Sequence, residues 1–179
     1  FWAFQNTTSN GWRWYKFASD GAYTNVSLGG VAGDFFEFGQ NYGRTQLAAH
    51  SQQALYVLTV ATSTLAAVTD TDYPGFTVPG FVVLDDYAYV MDLDGNIYNS
   101  AEADFTDWPG DFIASQFEND AGVCLAKQGL YIVSFGYYTT ELFFNAGNAT
   151  GSPLAPVQNG VFNVGCVHGR SVGQVENTL

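Results

Sequence analysis

The stretch from residue 81 to residue 99 decides the fold, and it reads FVVLDDYAYVMDLDGNIYN. Phe81-Val-Val-Leu84 and Tyr87-Ala-Tyr-Val-Met91 are short runs of β-branched and aromatic residues on either side of Asp85-Asp86, which is the pattern of a tight β-hairpin. Asp94-Gly95 then leads into Asn96-Ile-Tyr-Asn99, and Asp-Gly supplies the positive φ angles of a type I′ turn. The stretch therefore predicts three consecutive antiparallel strands, a β-meander.

The same plan recurs further along the chain. Val123-Cys-Leu-Ala126 precedes a Gln128-Gly129 turn, and Leu130-Tyr-Ile-Val133 follows it, so that Tyr87 aligns with Leu130 at an offset of 43 residues. A β-meander repeated every ~40–50 residues is the signature of a propeller blade. We therefore predict an all-β fold, a β-propeller built of antiparallel β-meander blades, of which this chain holds about four as part of a larger ring. A β-sandwich with regularly spaced hairpins is the alternative.

The rest of the chain also favours strands over helices. The best helix candidate, Gln46 to Gln53, lacks a second apolar turn. Further strands are predicted near Trp12–Phe17, Ala54–Ala61, Thr139–Phe144, Val161–Val164 and Cys166–His168. We divide the chain into residues 1–70, an N-terminal β region that forms either the first blades or an insertion, and residues 71–179, which carry propeller blades and end in an incomplete one.

The charge of the chain limits its partners. Five basic residues stand against 17 acidic ones, which gives a formal net charge of −12. Such a surface repels phosphate, so it argues against nucleic-acid binding and against docking on anionic membranes. It remains compatible with a wall that DNA passes without adhering. No run approaches the ~18 apolar residues of a transmembrane helix, so no membrane association is predicted.

The two cysteines, Cys124 and Cys166, are too few for a disulfide scaffold, and both lie in apolar runs. We expect both to be buried free thiols. No Cys-x-x-Cys motif occurs, and His50 and His168 lie far apart, so no zinc site is predicted.

A calcium loop is suggested by the spacing of Asp92-Leu-Asp94-Gly-Asn96. An EF-hand also requires Gly at the sixth position and Glu at the twelfth, where this chain has Ile97 and Ala103. A hairpin turn explains the same residues, and no metal or other cofactor is predicted.

The carboxylates show no spacing that singles out an acid and its partner for glycoside hydrolysis. The candidates are Asp85, Asp86, Asp104, Asp107, Asp111 and Glu141. The segment Asp104-Phe-Thr-Asp-Trp108 only partly matches the sialidase motif Ser-x-Asp-x-Gly-x-x-Trp. Neither Gly-x-Ser-x-Gly nor the phosphate-binding Gly-x-x-x-x-Gly-Lys occurs. We therefore expect that the protein is not an enzyme and assign no catalytic, cofactor-binding or metal-binding residues.

Aromatic residues near turns leave a second function open. They are Trp2, Trp12, Trp14, Tyr15, Tyr137 and Tyr138, which would either stack on sugars or form core and cross-strand pairs. Asn6, Asn25 and Asn148 begin Asn-x-Ser/Thr sequons, which matter only in a secreted eukaryotic protein. A secreted glycan-binding β-propeller or sandwich is the alternative function, with a glycosidase as a weaker one.

An ordered set of segments from Asp70 onward resembles a known family. The segments are Asp72-Tyr-Pro74, Phe81 to Asp92, Gly95 to Ser100, Asp104 to Trp108, Leu130 to Gly136, Thr140 to Gly147 and Gly160 to Cys166. Their order and spacing over about 110 residues are similar to those of the tail hub, or packaged DNA stabilisation, proteins of short-tailed bacteriophages, also called tail accessory or nozzle proteins. Tyr137-Tyr138 and Val167-His-Gly-Arg170 depart from the family pattern.

The resemblance implies a structural virion protein without enzymatic activity. It implies a β-propeller in a hexameric ring that extends the DNA channel below the portal and adaptor, retains packaged DNA until ejection, and contacts a tail fibre or plug. It also implies a location in the virion tail after assembly in the host cytoplasm, where buried free cysteines stay reduced.

Overall fold

The computed structural model describes residues 2–7, 11–26, 35–115 and 120–173, with side chains from Arg13 onward. Within these ranges the chain forms four antiparallel sheets and one short 3₁₀ turn, Gly169–Ser171, so the all-β prediction is confirmed. No helix in the described ranges has the length and apolar character needed to cross a membrane.

The sheets follow one another along the chain, and neighbouring strands in each sheet are consecutive in sequence. The first sheet has β1 (Trp2–Thr7), β2 (Gly11–Phe17) and β3 (Tyr23–Asn25). The second has β4 (Glu37–Gln40), β5 (Gln46–Ser51), β6 (Ala54–Thr59) and β7 (Thr64–Ala67). The third has β8 (Val82–Leu84), β9 (Tyr87–Met91), β10 (Asn96–Asn99) and β11 (Phe112–Ala114). The fourth has β12 (Gly122–Gln128), β13 (Tyr131–Gly136), β14 (Thr140–Asn145) and β15 (Leu154–Phe162).

The turns of the third sheet explain why its strands begin and end where the sequence predicts. Asp85 and Asp86 have φ angles of 50° and 67°, and Gly95 has a φ of 82°. Two consecutive positive φ angles match the right-handed twist of a two-residue hairpin. The 43-residue offset is also structural, because Tyr89 and Ile132 are both fully buried in the second strand of their sheets.

Apolar clusters join each sheet to the next one. Trp14 of the first sheet packs with Ala49 and Leu58 of the second. In the same way, one cluster joins the second sheet to the third, and another joins the third to the fourth. The opening strands β4, β8 and β12 lie next to one another. This is the arrangement of propeller blades, and among the described residues no apolar cluster joins the fourth sheet back to the first.

Three details differ from the sequence prediction. The weak helix candidate, from Gln46 onward, forms strand β5, because its buried side chains pack between sheets. Of the predicted strand at Val161–Val164, only Val161 and Phe162 are strand residues, and they form the end of β15, which starts at Leu154. The predicted strand at Cys166–His168 is wrong: Cys166 makes one backbone bond to Gly136, and His168 then caps the 3₁₀ turn.

The predicted boundary between residues 70 and 71 falls in the connection from β7 to β8. An apolar cluster spans this connection, since Leu55 and Val57 on one side pack with Ala88 and Val90 on the other. The second and third sheets are therefore packed together across that boundary.

Candidate interaction surface

The fourth sheet has one side packed in the core and one side turned away from it. On β13 and β14, Ile132 and Phe143 belong to the core shared with the third sheet. Side chains alternate between the two faces of a strand. The residues of alternate parity therefore form the opposite side, which we call the last face: Tyr131, Val133, Phe135, Thr140, Leu142, Phe144, Val157 and Phe162.

The last face is apolar and partly open to solvent. Tyr131, Phe144 and Phe162 are 44%, 38% and 50% exposed. Two grooves lie on it: one of about 470 Å³ beside Tyr131 and Phe144, and one of about 390 Å³ beside Leu142 and Phe162. Exposed contiguous apolar surface of this kind marks an interaction site more often than it marks an ordinary surface.

The polar rim of the larger groove comes from two sheets. Asp85, in the β8–β9 turn, accepts a hydrogen bond of 3.0 Å from the Asn145 amide at the end of β14. Gln158 lines the same groove. The rim therefore carries one carboxylate and two carboxamides beside the rings of Tyr131 and Phe144.

The segment that follows β15, residues 163–173, packs over the part of the last face that contains Phe135. Cys124 and Cys166 are free and buried there, as predicted, in a cluster with Val123. Burial raises the pKa of the Cys124 thiol to about 12, and the nearby Cys166 adds to the rise. This thiol is therefore protonated and unreactive at neutral pH. Arg170 continues the segment toward the second sheet, with its guanidinium 4.4 Å from the centre of the Phe35 ring.

The first sheet presents a second aromatic side, which we call the first face. Trp14 on β2 points into the core, so Arg13, Tyr15 and Phe17 lie on the opposite side, where Tyr23 of β3 joins them. The Tyr23 ring lies 5.7 Å from Tyr15 and 5.8 Å from Phe17, centre to centre, and Tyr23 is 67% exposed. The four apolar clusters of the described residues contain none of these three aromatic side chains.

Three hydrogen-bonded side chains near the opening strands, Glu37, His50 and Thr77, have the arrangement of a catalytic triad. Glu37 lies 3.1 Å from Nδ1 of His50, and Nε2 of His50 lies 2.8 Å from Thr77 Oγ1. Thr77 is fully buried and His50 is 1% exposed, so no substrate reaches the hydroxyl. Glu37 also accepts hydrogen bonds from the Gly80 amide, at 2.9 and 2.7 Å. The hydrogen bonds from His50 to Thr77 and from Gly80 to Glu37 hold the β7–β8 connection against the second sheet.

Three of the carboxylates considered for catalysis, Asp86, Asp104 and Glu141, accept hydrogen bonds that stabilise the fold. Asp86 accepts a hydrogen bond from the backbone amide of Tyr42, and Asp104 accepts bonds from the Gln46 side-chain amide and the Thr106 hydroxyl. Glu141 is buried and accepts a bond of 2.6 Å from Ser115 Oγ. The larger groove is lined by the single carboxylate of Asp85. The structure does not bring Asp107 or Asp111 into any of the grooves described above.

The calcium-like spacing is a turn. The Asp92 carboxylate accepts bonds from the amides of Asp94 and Asn96 at 2.9 Å, and from the Asn96 side chain at 2.8 Å. These bonds take up the oxygens that a cation would need. In the described part of the chain, no three His, Cys, Asp or Glu side chains come together as a metal site.

The aromatic residues singled out in the sequence fall into different places. Trp14 is buried, whereas Tyr137 and Tyr138 are 51% and 78% exposed in the β13–β14 turn. The side chains of Trp2 and Trp12 lie outside the described residues, as does that of Asn6. The alternation of residues on β13 and β14 is the sequence signal for the last face, but the same alternation also suits a side that packs against another sheet.

Asp120 organises the turn that carries Tyr137 and Tyr138. Its carboxylate accepts bonds from the amides of Tyr137, Tyr138 and Thr139 and from the Thr139 hydroxyl. Partial burial would raise the pKa of Asp120, but these hydrogen bonds to the charged form outweigh it and hold the pKa below the usual value.

We expect Asp120→Asn to destabilise the protein at pH 7 and to have little effect below the pKa of the folded carboxyl. A lowered pKa contributes stability above the unfolded value, near 4, and this stability is lost as the pH falls through the folded value. Chemical unfolding of both proteins from pH 7 to pH 2 measures the difference. Asp111→Asn is the matched control. A difference between Asp120→Asn and the parent protein that does not change with pH would contradict the assignment.

Comparisons with known proteins bear on the fold. No family model matches the sequence, and no curated protein matches it. One similar solved structure is a protein of unknown function from Desulfotomaculum acetoxidans, with 12% identity and a TM-score of 0.58, covering 92% of this chain and 53% of that one. Another is a catalytically inactive virginiamycin B lyase from Staphylococcus aureus with quinupristin, with 11% identity and a TM-score of 0.51, covering 80% of this chain and 47% of that one.

This chain therefore spans about half the length of the solved structures that it matches. At these identities the likeness concerns the fold alone. Together with the four consecutive antiparallel sheets, it identifies the fold of this chain as propeller-like, with sheets that do not close into a ring within the described residues.

Proposed function

We propose that this chain is a structural, non-catalytic assembly protein, and more specifically a subunit of the tail hub or nozzle of a short-tailed bacteriophage. Six copies form a ring that extends the DNA channel below the portal and retains packaged DNA. Neighbours are the portal or adaptor on one side and a fibre or plug protein on the other. The observation that carries the proposal is the last face, an apolar sheet surface on a chain that is otherwise strongly acidic.

The chemistry of the interior supports a structural role. Glu37, His50 and Thr77 resemble a triad, but His50 and the Thr77 hydroxyl are buried, and Glu141 is buried against Ser115. Large permanent interfaces are apolar and poor in charge, and only 12% of this chain is charged. A net charge of −12 suits a channel wall, because it repels phosphate and leaves DNA mobile.

The test is the mass and shape of the protein in solution and on virions. Native mass spectrometry is expected to show a species of six times 19.4 kDa, and electron-microscope class averages a ring with a central hole. The same ring is expected not to retard duplex DNA in a gel at low salt. A protein without rings, alone or on purified phage portals, would overturn the tail-hub proposal. So would hydrolase activity that is lost in Asp86→Ala.

The larger groove favours one other function, which is glycan binding. Aromatic rings stack on sugar faces, and here the rings of Tyr131 and Phe144 lie beside the polar groups of Asp85, Asn145 and Gln158. A sugar-array screen separates the two functions. Binding that Tyr131→Ala abolishes and Tyr138→Ala leaves intact would favour a glycan-binding protein.

A further inference from the structure

We infer that Cys124 and Cys166 form an oxidation site, in which exchange with a small-molecule disulfide such as oxidised glutathione joins the two thiols in one reversible disulfide bond. The bond would fasten the segment of residues 163–173 to strand β12. The inference does not depend on the proposed function, because it concerns only the positions of two buried side chains and the segment that covers them.

The fold brings the two cysteines together from positions 42 residues apart. Cys124 pairs with Phe135 across β12 and β13, and the Cys166 amide donates to the carbonyl of the next residue, Gly136, at 2.8 Å. The two cysteines are 1% and 8% exposed and belong to one apolar cluster. Their thiols also interact, since Cys166 contributes to the raised pKa of Cys124. A bond between them would close a long loop, and disulfides stabilise more as the loop grows.

The present hydrogen bonds of the Cys166 thiol do not oppose the reaction. Its sulfur lies 3.2 Å from the His168 carbonyl oxygen and 3.5 Å from Ser171 Oγ. Ser171 donates to the same carbonyl with its hydroxyl at 2.6 Å and with its amide at 2.9 Å. A thiol is only a weak donor. Its loss therefore leaves the His168 carbonyl with two stronger donors.

Access to the thiols depends on the opening of the segment 163–173. Besides the Cys166 amide, the Val164 carbonyl joins it to the fourth sheet by accepting a bond of 2.6 Å from the Thr140 hydroxyl. Cys166 is the one buried residue of this segment, and Val164 and Val167 are 70% and 85% exposed. A segment with so little buried apolar surface opens at a lower free energy than the sheet beneath it.

The exchange proceeds in two balanced steps. With the segment open, the thiolate of Cys166 attacks one sulfur of the small disulfide, so a mixed disulfide forms and one small thiolate leaves. The adduct keeps the segment open, and Cys124 then loses the burial that raises its pKa and makes it unreactive in the closed structure. The Cys124 thiolate attacks the Cys166 sulfur and displaces the second small thiolate. The protons of both protein thiols pass to the two small thiols, so one disulfide is reduced for each one formed.

The bond would fix a wall that two grooves share. Val172 lines both the groove of about 390 Å³ beside Leu142 and a groove of about 310 Å³ beside Glu37. Arg170, in the same segment, lies over the ring of Phe35 just before β4. Oxidation would therefore hold the segment closed along both grooves, and reduction would allow it to open.

The test compares the redox equilibrium of the folded and the unfolded protein. The protein is equilibrated with reduced and oxidised glutathione, in buffer and in urea that unfolds it, and mass spectrometry after thiol blocking measures the disulfide fraction. We expect the folded protein to favour the Cys124–Cys166 bond about tenfold or more over the unfolded chain, because the fold holds the thiols together. Equal or weaker preference in the folded protein would overturn the inference. So would a glutathione adduct that persists on either cysteine without passing to the other.

Trypsin measures whether the bond fastens the segment. Cleavage after Arg170 requires the segment to open, whereas Arg44 is exposed in the β4–β5 turn and serves as the reference site in the same molecule. We expect oxidation to slow cleavage after Arg170 about tenfold or more relative to Arg44, and to raise the melting temperature by about 5 °C or more. Cys124→Ser, which cannot form the bond, is the matched control and is expected to show neither change. Equal relative cleavage in the oxidised and reduced protein would overturn the fastening of the segment.

Discussion

Replacing Gly80 by alanine is expected to lower the free energy of unfolding by about 3 kcal/mol. Gly80 has a φ of 115°, which non-glycine residues adopt only under strain, and a Cβ atom there would collide with the backbone of Leu125. The collision would push apart the β7–β8 connection and β12, which are joined by a 2.9 Å bond from the Leu125 amide to the Pro79 carbonyl. Thermal or urea unfolding measures the loss.

Gly75→Ala is the matched control for this change. Gly75 lies in the same connection, and a Cβ atom there meets nothing within 4 Å. We expect an effect below about 0.5 kcal/mol, as for surface substitutions. Equal stability of the two variants would mean that Gly80 does not lie against β12.

Trp108→Ala is expected to cost about 3–5 kcal/mol, the range for removing a large buried aromatic side chain. Trp108 is 1% exposed and packs edge-on against Tyr73, with ring centres 4.9 Å apart. Its indole nitrogen donates to the Phe105 carbonyl at 3.0 Å, and its amide donates to Asp70 at 3.0 Å. The side chain thus fastens the β10–β11 loop to the connection that leads out of the second sheet.

Phe112→Ala provides the comparison, because Phe112 begins β11 only four residues later and is 50% exposed. We expect a loss below about 1 kcal/mol there. Similar losses in the two variants would show that the loop is not held by Trp108. The comparison also bears on the partial likeness of Asp104–Trp108 to a sialidase motif, since the tryptophan is a core residue in this structure.

The strands of the third sheet could be predicted closely because the residues of its turns are of types that favour tight hairpin turns. Asp85 and Asp86 in the first turn and Gly95 in the second adopt positive φ angles that few other residues tolerate, so the two turns fix both ends of β9, although Asp94 lacks the positive φ that a type I′ turn would require. The start of β15 is not predicted from the sequence, because Pro153 precedes the strand, Pro156 lies within it, and strands rarely hold proline in their interior. The strand predicted at Cys166–His168 is absent because a short apolar run also suits a loop segment whose side chains cover a sheet, as that of Cys166 does.

The interaction surface could not be predicted from the same patterns. Both sides of an inner propeller sheet are apolar, so Tyr131, Leu142 and Phe144 look the same in sequence as residues that pack on a neighbouring sheet. Only the order of the sheets in space identifies which side of β13 and β14 is not packed against another sheet of the described residues. The resemblance to tail-hub proteins concerns the ordered segments and does not locate this surface.

The sheet-to-sheet packing has a consequence for the way the molecule loses its structure. Because each apolar cluster involves only adjacent sheets, local stability depends on nearest neighbours, as it does in repeat proteins. Among the described residues, the second and third sheets are each packed on both sides, whereas the first and fourth are each packed against one neighbouring sheet. We therefore expect the amide hydrogens of β6 and β9 to exchange with solvent more slowly than those of β2 and β14, and unfolding to begin at the two outer sheets and proceed inward.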